Sequence, residues 1–227
     1  MMNQYALFNI LSYTLSNFIM NKENKNHWYD GLFYDKLIAP NQDKSFAQLK
    51  NLIEPNSTLL DVGCGTGRLV FQIADKCSKV DGIDLSIKNI NVANKKLAST
   101  TISNVSFYHE DIIKFLSGKK QQYNYAVLSY VIHEVDISLR VEILKLLSQA
   151  AKKIIVIDYL APRPKGFWSG LNEIVEFIAG KDHYKNFKSY IANEGIYGLA
   201  QQSGLMIINE IKNVPSTSHL VVLSDFN

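Results

Sequence analysis
The spacing of apolar residues changes character once along the chain, near residue 58. Before it they recur at three and four: Leu7, Ile10, Leu11, Leu15, Phe18 and Ile19 form one helical face, with Asn9, Ser12, Ser16 and Asn17 between them. After the polar hinge NKENKNHWYDG the same spacing returns through Phe33, Leu37 and Ile38 and, past Pro40, through Phe46, Leu49 and Leu52. From Leu59 short apolar runs alternate with helical patterns. Strands are predicted at 58–62, 79–84, 105–109, 125–129 and 153–158, and helices at 68–76, 87–99, 112–117 and 139–150, with Ser86 and Ser138 as N-caps. Such repetition predicts an α/β domain: a parallel sheet covered on both faces, doubly wound by right-handed crossovers, with a ligand crevice beyond the carboxyl ends of its strands. The segment Leu160–Tyr190 interrupts the alternation with its own helix near 171–179. A helix at 191–203 and an antiparallel hairpin, 205–211 with 219–223, close the chain on the sheet edge.

Composition sets limits rather than chemistry. With 227 residues, 47% apolar and 20% charged, the chain suits one globular domain over 1–227, with an N-terminal helical cap at 1–54 and an insert at 160–190 over the crevice. Its 24 basic residues are spread among 21 acidic ones, so the net charge of +3 marks no nucleic-acid face. Cys64 and Cys77 lack metal-ligand spacing, which predicts free thiols, a reducing cytoplasm and no metal site. The uncharged stretch Met1–Met20 lacks the basic flank and cleavage site of a signal peptide. A packed amphipathic helix is expected there, with membrane contact as the alternative and no membrane span.

The run LLDVGCGTGRL, 59–69, carries the first chemistry. A dinucleotide fingerprint would need glycine at position 68, where Arg68 stands; Gly63, Gly65 and Gly67 instead form a G-x-G-x-G turn introduced by Asp61. The second predicted strand ends in VDGIDLS, which places the Asp84 carboxylate where it can accept ribose hydroxyls. Two carboxylates flanking a glycine turn suit a ligand with a ribose and no phosphate. The alternative is that Asp84 only caps the next helix; Cys64 reads as small filler in the tight loop, with a reactive thiol as its alternative.

Together with VSFYHEDIIKF and YNYAVLSYVIHEVD, these segments resemble the four ordered motifs of the class I S-adenosylmethionine-dependent methyltransferases, small-molecule type. The resemblance implies a seven-stranded Rossmann-like methyltransferase sheet, with S-adenosylmethionine as cofactor and S-adenosylhomocysteine as product. It implies that Asp61, Gly63 and Gly65 line the methionine part, with Asp84 on the ribose and Thr66 and Leu85 in the same cofactor site. Asp111 and Ile112 would flank the adenine, with Glu110 a competitor and a helix cap the alternative for Asp111; Ser129 and Tyr130 would emerge near the methyl group. WYDGLFYDKLIAP resembles the tyrosine-bearing N-terminal helix of small-molecule members, which marks Tyr34 as a cofactor contact and Tyr29 as a cofactor or acceptor contact. The chain departs from the fourth-strand motif at Asn124, where an aspartate is usual and the position is structural.

Methyl transfer from a sulfonium is an in-line displacement, so alignment and water exclusion carry most of it, and a base is needed only for an acceptor that holds a proton. His133, in the loop after the fourth strand, is the candidate base, with Tyr130 nearby and Glu134 either orienting the imidazole or binding a cationic acceptor. A His133 that merely holds the loop is the alternative. The insert is dense in rings, and Trp168, His183 and Tyr184 are candidates to meet a small apolar acceptor unless they only glue the insert to the sheet. Nucleic acid is disfavoured as acceptor because SYVI replaces the proline-aromatic motif of amino-methylating DNA enzymes and neither cysteine follows a proline. The expectation is a cytoplasmic monomer or homodimer that methylates O, N or C of a small molecule. The competing readings are a catalytically silent cofactor-binding subunit that docks a partner protein, and a different reaction on the same fold.

Overall fold
The computed structural model describes residues 39–212 and 216–225. The first amphipathic helix, Tyr29 and Tyr34 lie outside the described residues. Seven strands form one sheet in the order β3-β2-β1-β4-β5-β7-β6: β1 Ser57–Val62, β2 Cys77–Asp84, β3 Val105–His109, β4 Tyr123–Ser129, β5 Ala151–Tyr159, β6 Leu205–Lys212 and β7 Ser218–Asp225. The first five pair in parallel, and β7 joins β5 and β6 antiparallel. This is the doubly wound sheet with an antiparallel closing hairpin that the strand–helix alternation predicts, and its seven strands are those the resemblance implies.

Successive strand residues bury on opposite faces, which explains the unbroken apolar runs. Leu60, Ala126, Leu128, Ile154 and Val156 pack under α4 Ile112–Leu116, α5 Ile137–Ala150, α7 Lys181–Ala192 and α8 Gly195–Ser203. Leu59, Tyr125, Val127, Ile155 and Ile157 pack under α1 Ala39–Leu52, α2 Arg68–Ile73 and α3 Ile87–Leu97. The insert adds α6 Phe167–Ala179. Asn124 accepts the Thr58 N–H at 2.8 Å, joining the starts of β1 and β4, the structural role expected there.

Three elements differ from the sequence reading. Asp136, not Ser138, caps α5: its carboxylate accepts both the N–H and the hydroxyl of Ser138, outcompeting a neutral hydroxyl two residues on. The expected helix at 68–76 tightens into a 3-10 turn at Ala74–Lys76 before β2. The expected helix at 191–203 is two, because the left-handed backbone at Glu194 (φ 62°) and Gly195 (φ 57°) ends one and starts the next. Among the described residues no helix is long and apolar enough to cross a membrane.

Candidate active site
Strand order reverses between β1 and β4, and beyond their carboxyl ends lies a cleft of about 750 Å³. At its base the main chain turns through Gly63 (φ 68°) and Gly65 (φ 54°). A Cβ on Gly63 would sit 2.5 Å from Val131 Cγ2, so the turn needs glycine there for space as well as for conformation. The Gly65 N–H donates to Asp84 Oδ2 at 2.8 Å, and the Ser86 N–H donates to Oδ1 at 2.8 Å. Asp84 therefore bridges the glycine turn to the start of α3, while Ser86 caps that helix by accepting the Asn89 N–H. Beside the turn Asp61 is 2% exposed, and burial, then the neighbouring Asp84 charge, pushes its carboxyl up to about 8. Burial likewise pushes the Cys64 thiol up, and both cysteines are free and buried.

Apart from Tyr34, which lies outside the described residues, the cofactor-site candidates marked in the sequence meet on this cleft. Asp61, Gly63, Gly65, Thr66, Asp84, Leu85, Asp111, Ile112 and Ser129 all line it. Asp111 also caps α4, accepting the Ile113 N–H at 2.8 Å. Ser129 Oγ is buried at the end of β4 without a hydrogen-bonding partner among the described residues. One wall was not foreseen. Arg68 places its guanidinium fork on Asp43, with Nε to Oδ1 at 3.0 Å and Nη2 to Oδ2 at 2.8 Å, so α2 holds α1 and its Gln42 and Phe46 against the opening.

At the other end the proposed base is displaced from the surface. Tyr130 turns the chain after β4 at φ 57°; its hydroxyl is buried near Ser218 and Ser45, and burial raises its pKa to about 12. His133 is 2% exposed and lies behind the cleft wall. Its Nδ1 is 2.7 Å from Asp158 Oδ1, and Asp158 also accepts the Tyr159 N–H at 2.7 Å and the His133 N–H at 3.3 Å. A carboxylate so placed is an acceptor, so Nδ1 carries hydrogen. His133 Nε2 then faces Glu176 Oε1 at 3.6 Å and Glu134 Oε1 at 3.9 Å. A lone pair aimed at two carboxylates would be repelled; burial opposes charge on the ring, but Asp158 and Glu176 overcome it and hold His133 well above its ordinary 6.5. The geometry and the neighbouring charges thus favour the protonated ring paired with Asp158.

Glu134 and His183 do reach the cleft. His183, on α7, stands between two carboxylates, with Nε2 3.4 Å from Glu134 Oε2 and Nδ1 3.6 Å from Glu176 Oε2. Glu176, on α6, also accepts the Tyr159 hydroxyl at 2.8 Å. Burial works against the Glu176 anion, but the His133 charge and the polar contacts with His133, His183 and Tyr159 outweigh it and hold the carboxyl below its ordinary range. Buried Arg140 pins the assembly, donating to the carbonyls of Val135 (2.8 Å), His133 (3.1 Å) and Asn186 (2.7 Å). Trp168 is half exposed against Phe167, and Tyr184 donates to Glu173 Oε1 at 2.8 Å; neither lines the cleft. Phe187 and Tyr190 pack inward against His133, the gluing role weighed for the rings.

Comparison with known proteins agrees with this geometry. Residues 53–165, about half of the chain, match the methyltransferase domain family. An uncharacterized RNA methyltransferase of Mycoplasma mobile is 30% identical over 83 residues, 37% of this chain, and the match spans 23% of that protein's length. The PH0226 protein of Pyrococcus horikoshii superposes with a TM-score of 0.66 at 18% identity, over 89% of this chain and all of that one. Magnesium protoporphyrin IX methyltransferase from Synechocystis superposes with a TM-score of 0.60 at 19% identity, over 96% of each chain. At these identities the superpositions speak for the fold.

Proposed function
From the premise that the chain belongs to the class I S-adenosylmethionine-dependent methyltransferases, we propose that it transfers a methyl group from S-adenosylmethionine to a small molecule. The observation that carries this reading is the glycine turn tied to Asp84, with buried Asp61 beside it. The donor set suits the cofactor: carboxylates at Asp61 and Asp84 match an ammonium and a ribose diol, and the Gly63 turn admits close backbone approach. The absence of a glycine at position 68 leaves no pyrophosphate cradle.

The bound cofactor supplies an activated methyl on a sulfonium. The protein's work is alignment and exclusion of water. Asp61 and the glycine turn would hold the methionine end, Asp84 the ribose, and Asp111 with Ile112 the adenine end, all of them lining the cleft beyond β1, β2 or β3. Val131, Val135, Leu139 and Ile143 give the far wall an apolar surface suited to a small molecule. The RNA methyltransferase relative supports an RNA acceptor as the second reading, against which stands SYVI after β4 in place of a proline-aromatic motif.

Titration calorimetry tests the proposal. S-adenosylmethionine and S-adenosylhomocysteine should both bind one site per chain, and binding of neither refutes it. Transfer of labelled methyl to RNA but to no small-molecule fraction would favour the second reading.

A further inference from the structure
Helix α6 carries its polar residues inward and much of its apolar surface outward. Two of its four buried residues, Ser169 and Glu176, are polar. Asn172 donates to Thr217 Oγ1 at 2.8 Å, and Glu173 accepts from Arg163 at 2.8 Å, Tyr184 at 2.8 Å and Lys188 at 3.0 Å. On the outer side Phe167, Ile174 and Phe177, at i, i+7 and i+10, share one face and are 56%, 46% and 67% exposed. Trp168 stands half exposed with its ring edge-on to Phe167. A helix that only covered a core against water would have the reverse polarity. Beside this stripe runs a line of cations. Lys181, Lys185 and Lys188 follow at i, i+4 and i+7 on α7, and Asp182, off that line, is the only acid on the helix. The Lys188 ammonium lies over the Tyr184 ring, which packs edge-on against Phe177 and so joins the line to the stripe. Lys188 is shared with Glu173, whereas exposed Lys165, Lys181 and Lys185 pair with no carboxylate among the described residues.

We propose that this face of α6 and α7 docks on the surface of an anionic lipid bilayer. Such a surface is negative at its headgroups and apolar just beneath them, and it meets both halves of the face: lysines on phosphates, rings and Ile174 at the acyl boundary. Other occupants meet one half only. Nucleic acid or an acidic protein would satisfy the lysines and leave the Phe167–Ile174–Phe177 stripe without an apolar partner. A second copy of the chain would cover the stripe but set like lysines against each other. His183 lines the cleft from the opposite side of α7, so docking brings the acceptor end of the cleft next to the lipid. The inference concerns a surface outside the cleft and stands whether or not the methyltransferase reading does.

Cosedimentation of the full chain with phosphatidylcholine vesicles, with and without phosphatidylglycerol, tests it. The chain should sediment with the anionic vesicles, far less with the neutral ones, and less as salt is raised. Trp28→Phe leaves Trp168 as the single tryptophan, and its emission should shift to the blue on addition of anionic vesicles. Lys181→Glu with Lys185→Glu should lower the partition coefficient by about tenfold or more. Phe167→Ser with Phe177→Ser should lower it by about tenfold or more as well, with the urea unfolding midpoint near that of the wild type. Should either double variant fail to fold, quenching of Trp168 by brominated acyl chains in the Trp28→Phe protein decides the matter. No uptake by anionic vesicles, uptake undiminished in the folded double variants, or Trp168 emission that lipid neither shifts nor quenches overturns the inference. So does a dimer that Phe177→Ser dissolves, or single-stranded RNA held by the same lysines, when either occurs without vesicle uptake.

Discussion
Asp61→Asn should make the protein more stable and worse at binding, and the gain should depend on pH. The carboxyl is raised from 3.8 to about 8 in the folded chain. Between those values the folded state keeps a proton that the unfolded state releases, so folding stability falls as pH rises, by about 1.36 kcal/mol per pH unit. At pH 5 the cost of Asp61 is about 2 kcal/mol and at pH 7 about 4 kcal/mol; above pH 8 both states are ionised and it no longer grows. Asparagine does not titrate. In urea unfolding, the stability difference between Asp61→Asn and wild type should therefore be about 2–3 kcal/mol larger at pH 7 than at pH 5, with contributions from distant groups cancelling in the comparison. A difference that stays constant across that range would refute the reasoning. The same shift links to function: an ammonium beside Asp61 favours the carboxylate, so calorimetry at pH 7 in buffers of unlike ionisation heat should find proton release when the methyl donor binds, and none in the variant.

Three further outcomes follow from the same geometry. Asp84→Ala removes the acceptor of the Gly65 and Ser86 N–H groups and should weaken S-adenosylhomocysteine binding by about 1.5–3 kcal/mol, read by calorimetry. Gly63→Ala adds a Cβ against Val131 at a left-handed backbone position and should cost about 2 kcal/mol or more in denaturant unfolding, together with most of the donor affinity. His133→Asn should cost about 3–5 kcal/mol by leaving buried carboxylates unpaired. Because the folded pKa of His133 lies above 6.5, that cost should be fully present below pH 6.5 and shrink at alkaline pH as the wild-type ring loses its proton.

The donor end of the cleft was open to sequence reading because its signals are local. Gly63, Gly65, Asp61 and Asp84 sit at ends of apolar runs, and strand periodicity alone puts those ends on one rim. The helix cap at Ser86 was legible for the same reason, whereas at α5 two capping residues stood two apart and only the structure shows Asp136 taking the role. The acceptor end is assembled from distant segments. Glu176 on α6 and Asp158 on β5 meet His133 from far along the chain, and in sequence Glu176 reads as one charge on an amphipathic helix. Asp158 left a faint trace as the single acid in the buried run IIVIDY, an expensive position for an unpaired carboxylate. His133 was singled out for the right neighbourhood, but its burial and its bond to Asp158 depend on pairing that spacing does not reveal.

The two ends of the cleft are made of different material. The end proposed for the methyl donor is held by main chain: left-handed glycines, strand-end amides, a carboxylate clasped by N–H groups. The opposite end is held by side chains on an excursion between β5 and α8, fastened by Arg140 and a few charge pairs. Main-chain geometry admits few substitutes, while side chains on such an excursion can be exchanged with the sheet left as it is. A laboratory seeking to retarget this protein should therefore leave the loop after β1 alone and diversify α6 and α7, where a new guest can be chosen without rebuilding the donor's seat.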